Sequence, residues 1–209
     1  MPISYNNKCI FIHIPKTGGI TIESLLKIDR KIENYLYTIQ ELEFIYKGMS
    51  TTISHIPATL FKQLRPDIFD SYLKFSVVRN PYDKVISEYL WISRNDKKMH
   101  NLPLEHLVRR FSVWVENYYT EIDSWRKCPQ YKFIYDDQMN LMVDHVLKFE
   151  NFESDVRKLC GILNVEIKTM EHLNKSQIEI DRSLLLTKDV KKKIYSLFSE
   201  DFKIFGYKK

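Results

Sequence analysis

Along this chain, short apolar runs closed by proline or glycine alternate with longer stretches whose apolar residues recur every three or four positions. Cys9-Ile10-Phe11-Ile12-His13-Ile14 is the first such run, ended by Pro15, and it predicts a buried strand. Thr17-Gly18-Gly19 predicts a tight turn, and Ile22, Leu25 and Leu26 at helical spacing predict a helix over 20–28. Residues 29–50 are charged and aromatic with little periodicity and read as helix and loop. Thr51 to Ser54 predicts a second strand ending at His55. Pro57 then opens a helix through Leu64, proline being well placed in a first helical turn. Lys74-Phe75-Ser76-Val77-Val78 predicts a strand that runs into Arg79-Asn80-Pro81, followed by a helix from Tyr82 to about Arg94. A helix over 104–119, a strand over 145–149 and helices over 153–163 and 187–198 complete the pattern.

Strands alternating with helices predict an α/β fold, a single-domain parallel sheet flanked by helices with ligands at the carboxyl ends of the strands. No linker interrupts the pattern, so one domain over 1–209 is expected. At 209 residues the chain is long enough to bury a core, and 44% hydrophobic with 28% charged residues exclude extensive disorder. A net charge of +5 admits an anionic partner without separating nucleotide, nucleic acid, glycan or membrane surface. Cys9, Cys128 and Cys160 are sparse, odd in number and without metal-ligand spacing, which reads as reduced thiols. The apolar run at 9–14 is too short to span a membrane and lacks a signal-peptide layout. No membrane insertion and a cytoplasmic location are therefore expected.

Chemistry enters at Pro15-Lys16-Thr17-Gly18-Gly19-Ile20-Thr21, directly after a strand and opening a helix. Glycines there let backbone N–H groups line a concave anion site; Lys16 adds a full charge, and Thr17 and Thr21 add hydroxyl donors. An ATPase phosphate loop places its lysine after the second glycine, whereas this lysine precedes the glycine pair. Anion binding survives that difference, and triphosphate hydrolysis does not. The second constellation runs from Val77 to Tyr89, with Arg79 at a strand end and Ser87 eight residues later on the following helix. Arginine binds phosphate bidentately and a hydroxyl completes the shell; the structural alternative is a capped helix with Arg79 pairing Asp83.

Together these segments resemble the PAPS-dependent sulfotransferases (PAPS is 3′-phosphoadenosine-5′-phosphosulfate), particularly the branch containing heparan sulfate and related carbohydrate sulfotransferases. The resemblance continues through Lys148-Phe149-Glu150-Asn151-Phe152, His172-Leu173-Asn174-Lys175-Ser176 and Asp201 to Tyr207. It implies a sulfotransferase fold similar to that of P-loop NTPases, and a cofactor-binding set of Lys16, Thr17, Gly18, Gly19, Ile20, Thr21, Arg79, Ser87, Asn174, Lys175 and Ser176. In that family the lysine loop holds the 5′-phosphosulfate, and the arginine-to-serine segment holds the 3′-phosphate that remains in the product PAP (adenosine 3′,5′-bisphosphate). Ile20 departs from the pattern, since family loops often carry a hydroxyl residue there. The implied reaction is sulfuryl transfer to a hydroxyl, with a carbohydrate acceptor, no nucleic acid partner and no metal.

Six histidines compete for the role of base. Carbohydrate members use a histidine or an acidic residue in this region, and His55 matches the histidine version by position; Lys16 is the implied stabiliser of the leaving oxygen. His55 follows the second predicted strand as the lysine loop follows the first, so a parallel sheet would bring both to one edge. Glu88 is the alternative base. His13 reads as core or supporting, His100 and His106 as exposed, and His145 and His172 as structural. Lys191-Lys192-Lys193 reads as a solvated helix face, and Trp91 or Trp114 offers a sugar-stacking surface. Two rival functions stand beside this one. A kinase-like phosphotransferase would need a magnesium-binding acidic residue after a strand; a binding module without turnover would need only the anion sites.

Overall fold

The structure is a computed structural model that describes residues 3–28, 43–96, 102–120, 122–167 and 180–209. Its elements run β1 (Ile3–Ser4), β2 (Cys9–Ile12), α1 (Gly19–Leu25), β3 (Glu43–Tyr46), β4 (Met49–Thr52), α2 (Ala58–Leu64), α3 (Pro66–Ser71) and β5 (Leu73–Val78). They continue with α4 (Pro81–Ile92), α5 (Leu104–Tyr118), α6 (Tyr131–Ile134), β6 (His145–Lys148), α7 (Phe152–Ile162) and α8 (Lys188–Ile204). Contacts divide the chain into two compact units, Met1–Val78 with Asp123–Leu173, and Arg79–Ile122 with Asn174–Lys209.

The first unit is built on a four-stranded sheet of order β1-β2-β5-β6. β2 pairs with β5 and β5 with β6 in parallel, while β1 lies antiparallel to β2. The sheet is mixed and mostly parallel, flanked by helices, and the α/β class read from the alternation is the class observed. Period-two alternation puts Cys9, Phe11, Phe75, Val77 and Leu147 on one face, where they form a core with Ile22 and Leu26 and with Phe152, Val156 and Leu159 of α7. Phe11 is the register partner of Phe75, and their rings stack at 5.1 Å. On the opposite face the fully buried Ser76 hydroxyl donates to the Ile12 carbonyl at 2.7 Å.

The second expected strand is where structure and pattern part. Residues 49–52 do form a strand, but β4 pairs antiparallel with β3 in a separate two-stranded sheet and is no member of the parallel one. Lys47 (φ 52°) and Gly48 (φ 76°) link the pair. Two consecutive left-handed residues match the twist of a tight hairpin, which explains why part of the stretch read as helix and loop is a ribbon.

The second unit is helical. Tyr82, Val85, Ile86 and Tyr89 of α4 meet Leu107, Phe111 and Val115 of α5 and Val190, Ile194, Phe198 and Phe202 of α8, each set recurring at helical spacing. The Thr187 hydroxyl caps α8 by accepting from the Val190 N–H at 3.3 Å. Phe198, where the periodic pattern ended, has non-helical angles (φ −122°, ψ 23°), and the helix resumes beyond it to Ile204. No helix among the described residues is long and apolar enough to cross a membrane.

The thiols are sealed in the first unit's core. Burial raises Cys160, and burial followed by the neighbouring Cys160 pushes Cys9 up to about 12 from an ordinary value of 9.0. Because the folded state holds the Cys9 proton more tightly than the unfolded chain, this contribution to stability is full below pH 9.0 and is lost as pH rises toward about 12. Denaturant midpoints measured between pH 8 and 10 should therefore fall with pH, and should fall less in a Cys9→Ala variant.

Candidate active site

β2 delivers the chain to His13, and the turn that follows reverses it into α1. Lys16 (φ 69°) and Gly18 (φ 88°) both take left-handed backbone, unusual for lysine and a form of local strain that collects at functional sites. Thr17 is fully buried, and its hydroxyl donates to the Ile14 carbonyl at 2.8 Å. That hydroxyl therefore staples the loop instead of facing outward as the sequence suggested. Thr21 is buried, and Ile20 is 45% exposed, so the apolar residue in the hydroxyl position projects from the start of α1.

Each glycine has a packing reason beyond its N–H. A Cβ at Gly18 would come within 2.9 Å of the Phe152 ring and 3.0 Å of the Phe149 ring. At Gly19 a Cβ would overlap the imidazole of His13. His13 is buried, its Nδ1 donating to Glu23 Oε1 at 2.9 Å, its ring stacked on Phe11 at 5.1 Å. Glu23 is buried on α1, one turn after Gly19, so residues 19 and 23 share a helix face against the histidine.

His55 ends the short 3-10 turn Ile53–His55 that follows β4. It reaches the loop by a different route from the one expected, since the strand before it is outside the parallel sheet. Its ring lies edge-on to His13 with centroids 4.3 Å apart, and its Nδ1 donates to the His13 carbonyl at 2.9 Å. A carbonyl only accepts, so Nδ1 carries the proton and Nε2 is the basic nitrogen of the neutral ring. His13 thus touches both Gly19 of the lysine loop and His55.

Arg79, Ser87 and Glu88 belong to the second unit. Arg79 is buried directly after β5, and Ser87 is half-buried on α4. The cap of α4 is Asn80, whose Oδ1 accepts from the Tyr82 N–H at 2.9 Å. Asp83 lies 3.9 Å from Arg182, so the alternative Arg79–Asp83 pairing is not the one formed. Glu88 is fully buried, and its two oxygens accept the hydroxyls of Tyr118 and Tyr119, each at 3.0 Å. Burial and then the Glu88 charge hold the Tyr119 phenol far above its usual range. Both Glu88 oxygens are thus engaged by tyrosine hydroxyls. Trp114 is stacked on Tyr118 at 4.5 Å within an aromatic cluster, and Arg94 lies over the Trp91 ring at 4.2 Å. His106 is exposed, as expected, beside Glu105. Asn174, Lys175, Ser176, His100 and His172 lie outside the described residues.

A family model described as the sulfotransferase family matches residues 2–208, a match that runs through both units. The chain belongs to the sulfotransferase family. Membership supports sulfuryl transfer as the chain's general chemistry. Over 94 residues this sulfotransferase-family chain is also 36% identical to an uncharacterized protein of Archaeoglobus fulgidus, covering 44% of this chain and 68% of that protein. No solved structure matches.

Glu23 is the supporting residue that the sequence reading missed. The available signal was an acidic side chain four residues after Gly19, on the helix face that the end of β2 must meet. The packing gives two glycine substitutions opposite signs. Gly19→Ala should lower stability by about 1–3 kcal/mol, because the methyl group must displace His13. Gly161→Ala, in α7 with nothing within 4 Å of its added methyl, should raise stability by roughly 0.5–1 kcal/mol. Urea unfolding of both variants beside the wild type reads the difference.

Proposed function

We propose that this chain transfers a sulfuryl group from PAPS to a hydroxyl of a carbohydrate acceptor. The observation that carries the reading is the His55 Nδ1–H bond to the His13 carbonyl, beside the lysine loop of a sulfotransferase-family chain. The loop's fit to an anion is supported by the left-handed backbone at Lys16 and Gly18 and by first-turn N–H groups that helix geometry leaves without intrahelical acceptors. PAPS supplies the sulfuryl group. His55 Nε2 takes the proton of the acceptor hydroxyl as its oxygen bonds to sulfur, and the bond from sulfur to the bridging oxygen breaks. Lys16 meets the negative charge that gathers on that leaving oxygen, and PAP departs with the bonding electrons.

Lys16 acts mostly in the transition state, since the bridging oxygen becomes negative only during transfer. Thr17, Gly18, Gly19 and Ile20 contribute backbone N–H groups, whereas the Thr21 N–H is donated to the Gly18 carbonyl at 3.1 Å and Thr21 would contribute its hydroxyl. The family resemblance assigns Arg79 and Ser87 the 3′-phosphate, and Asn174, Lys175 and Ser176 a further nucleotide contact. In the first unit His55 offers a basic imidazole for the proton and Lys16 a positive charge for the leaving oxygen, with no metal in the scheme.

His55→Ala tests the reading. Single-turnover transfer should fall by about a hundredfold or more while PAP affinity is kept. A fall of less than about tenfold at saturating substrate would remove His55 as the base. Nucleotide choice supplies an independent check. Calorimetry should show PAP bound much more tightly than AMP. Arg79→Ala should weaken PAP binding by roughly 2–5 kcal/mol, as expected on removing one member of a buried charge pair. Equal affinity of the wild type for PAP and AMP would take the 3′-phosphate away from Arg79 and Ser87.

A further inference from the structure

The His13–Glu23 pair plays no part in the chemistry above, yet it is a buried polar contact beside the lysine loop. Both residues are buried, at 5% and 6% exposure. The imidazole is held on every side. Nδ1 donates to Glu23 Oε1 at 2.9 Å, one face stacks on Phe11, the Nε2 edge fills the space beside Gly19, and the ring meets the His55 ring at 4.3 Å. The backbone carbonyl of the same residue receives the His55 Nδ1–H at 2.9 Å. One residue therefore contacts His55 twice, through its ring and through its carbonyl, and the Glu23 carboxylate fixes the rotation of that ring.

We propose that Glu23 and His13 are positioning residues that fix the orientation and tautomer of His55, so that Nε2 is its basic nitrogen; this rests on the reading of His55 as the base. A neutral histidine has two nearly equivalent tautomers, and only the one protonated at Nδ1 presents a lone pair at Nε2. The His13 carbonyl selects that tautomer, and the clamped His13 ring gives the His55 ring an edge to rest on. Removing the Glu23 acceptor leaves a buried imidazole N–H without its partner. The ring is then no longer held by that bond, and any turn it makes moves the edge against which the His55 ring rests.

The test is long-range proton–nitrogen correlation on protein labelled with 15N-histidine, which reads the tautomer of each ring without any reaction. In the wild type His55 should be protonated at Nδ1. Glu23→Gln keeps an acceptor oxygen and should keep that tautomer, with a single-turnover rate within about twofold of wild type. Glu23→Ala should shift His55 toward the Nε2–H form and lower the rate by about tenfold or more, with PAP affinity within about twofold. Three results would overturn the proposal: a wild-type His55 protonated at Nε2, an unchanged His55 tautomer in Glu23→Ala, or Glu23→Gln as damaging as Glu23→Ala. Should Glu23→Ala fail to fold, the wild-type spectrum and Glu23→Gln still decide. If no variant and no wild type transfers sulfuryl groups, the function reading fails while the tautomer pattern continues to judge the positioning claim.

Discussion

The imidazole of His13 lies where the side chain of residue 19 would otherwise be, and the arrangement of the site follows from that exclusion. Because the ring fills this space, residue 19 must be glycine and α1 can start close to the end of β2. Because its Nδ1 needs a buried acceptor, Glu23 must face inward on α1. A hydrogen bond to a charged group contributes about 1.5–3 kcal/mol, and a buried orphan donor costs a similar amount, so the two residues stand or fall together. Because its carbonyl accepts from His55, the turn after β4 is tied to the strand end although β4 is no part of the parallel sheet.

The second unit also contains polar groups in its interior, but they are organised for a different end. Lys84, Glu88 and Asp201 are buried at 1% exposure or less among the apolar faces of α4, α5 and α8. Glu88 accepts two tyrosine hydroxyls, and Lys84 also lies 5.7 Å from the Phe198 ring. Buried polar groups satisfied in this way tie helices to one packing arrangement. His55 and Glu88, the candidate base and its alternative in the sequence, stand in different hydrogen-bond settings: one ring nitrogen donated to a carbonyl, against two carboxylate oxygens accepting from tyrosines.

What was legible in the sequence was whatever repeats or breaks a pattern. The alternation of β-branched runs with helical spacing revealed the α/β class, and Gly18-Gly19 after a strand marked the loop. The hairpin of β3 and β4 escaped because its signal is only the two residues Lys47 and Gly48 in left-handed backbone. The sequence pattern ended helix α8 at Phe198; in the structure the backbone departs from helical angles there and then resumes to Ile204. Thr17 looked like a ligand donor because a hydroxyl's direction is invisible in sequence; the nearby Ile14 carbonyl claims it. Glu23 was missed for the same reason, since its importance comes from a partner ten residues earlier on another element.

Family membership supports sulfuryl transfer in general; that the group leaves PAPS and arrives on a sugar hydroxyl is the proposal. Incubating the protein with 35S-labelled PAPS and separate pools of glycans, lipid-linked sugars and small phenols, then locating the label by mass spectrometry, tests it directly. The account predicts protein-dependent label on a carbohydrate hydroxyl with release of PAP. Label confined to PAPS in every pool, with 32P passing from ATP to an acceptor in the presence of magnesium instead, would contradict it.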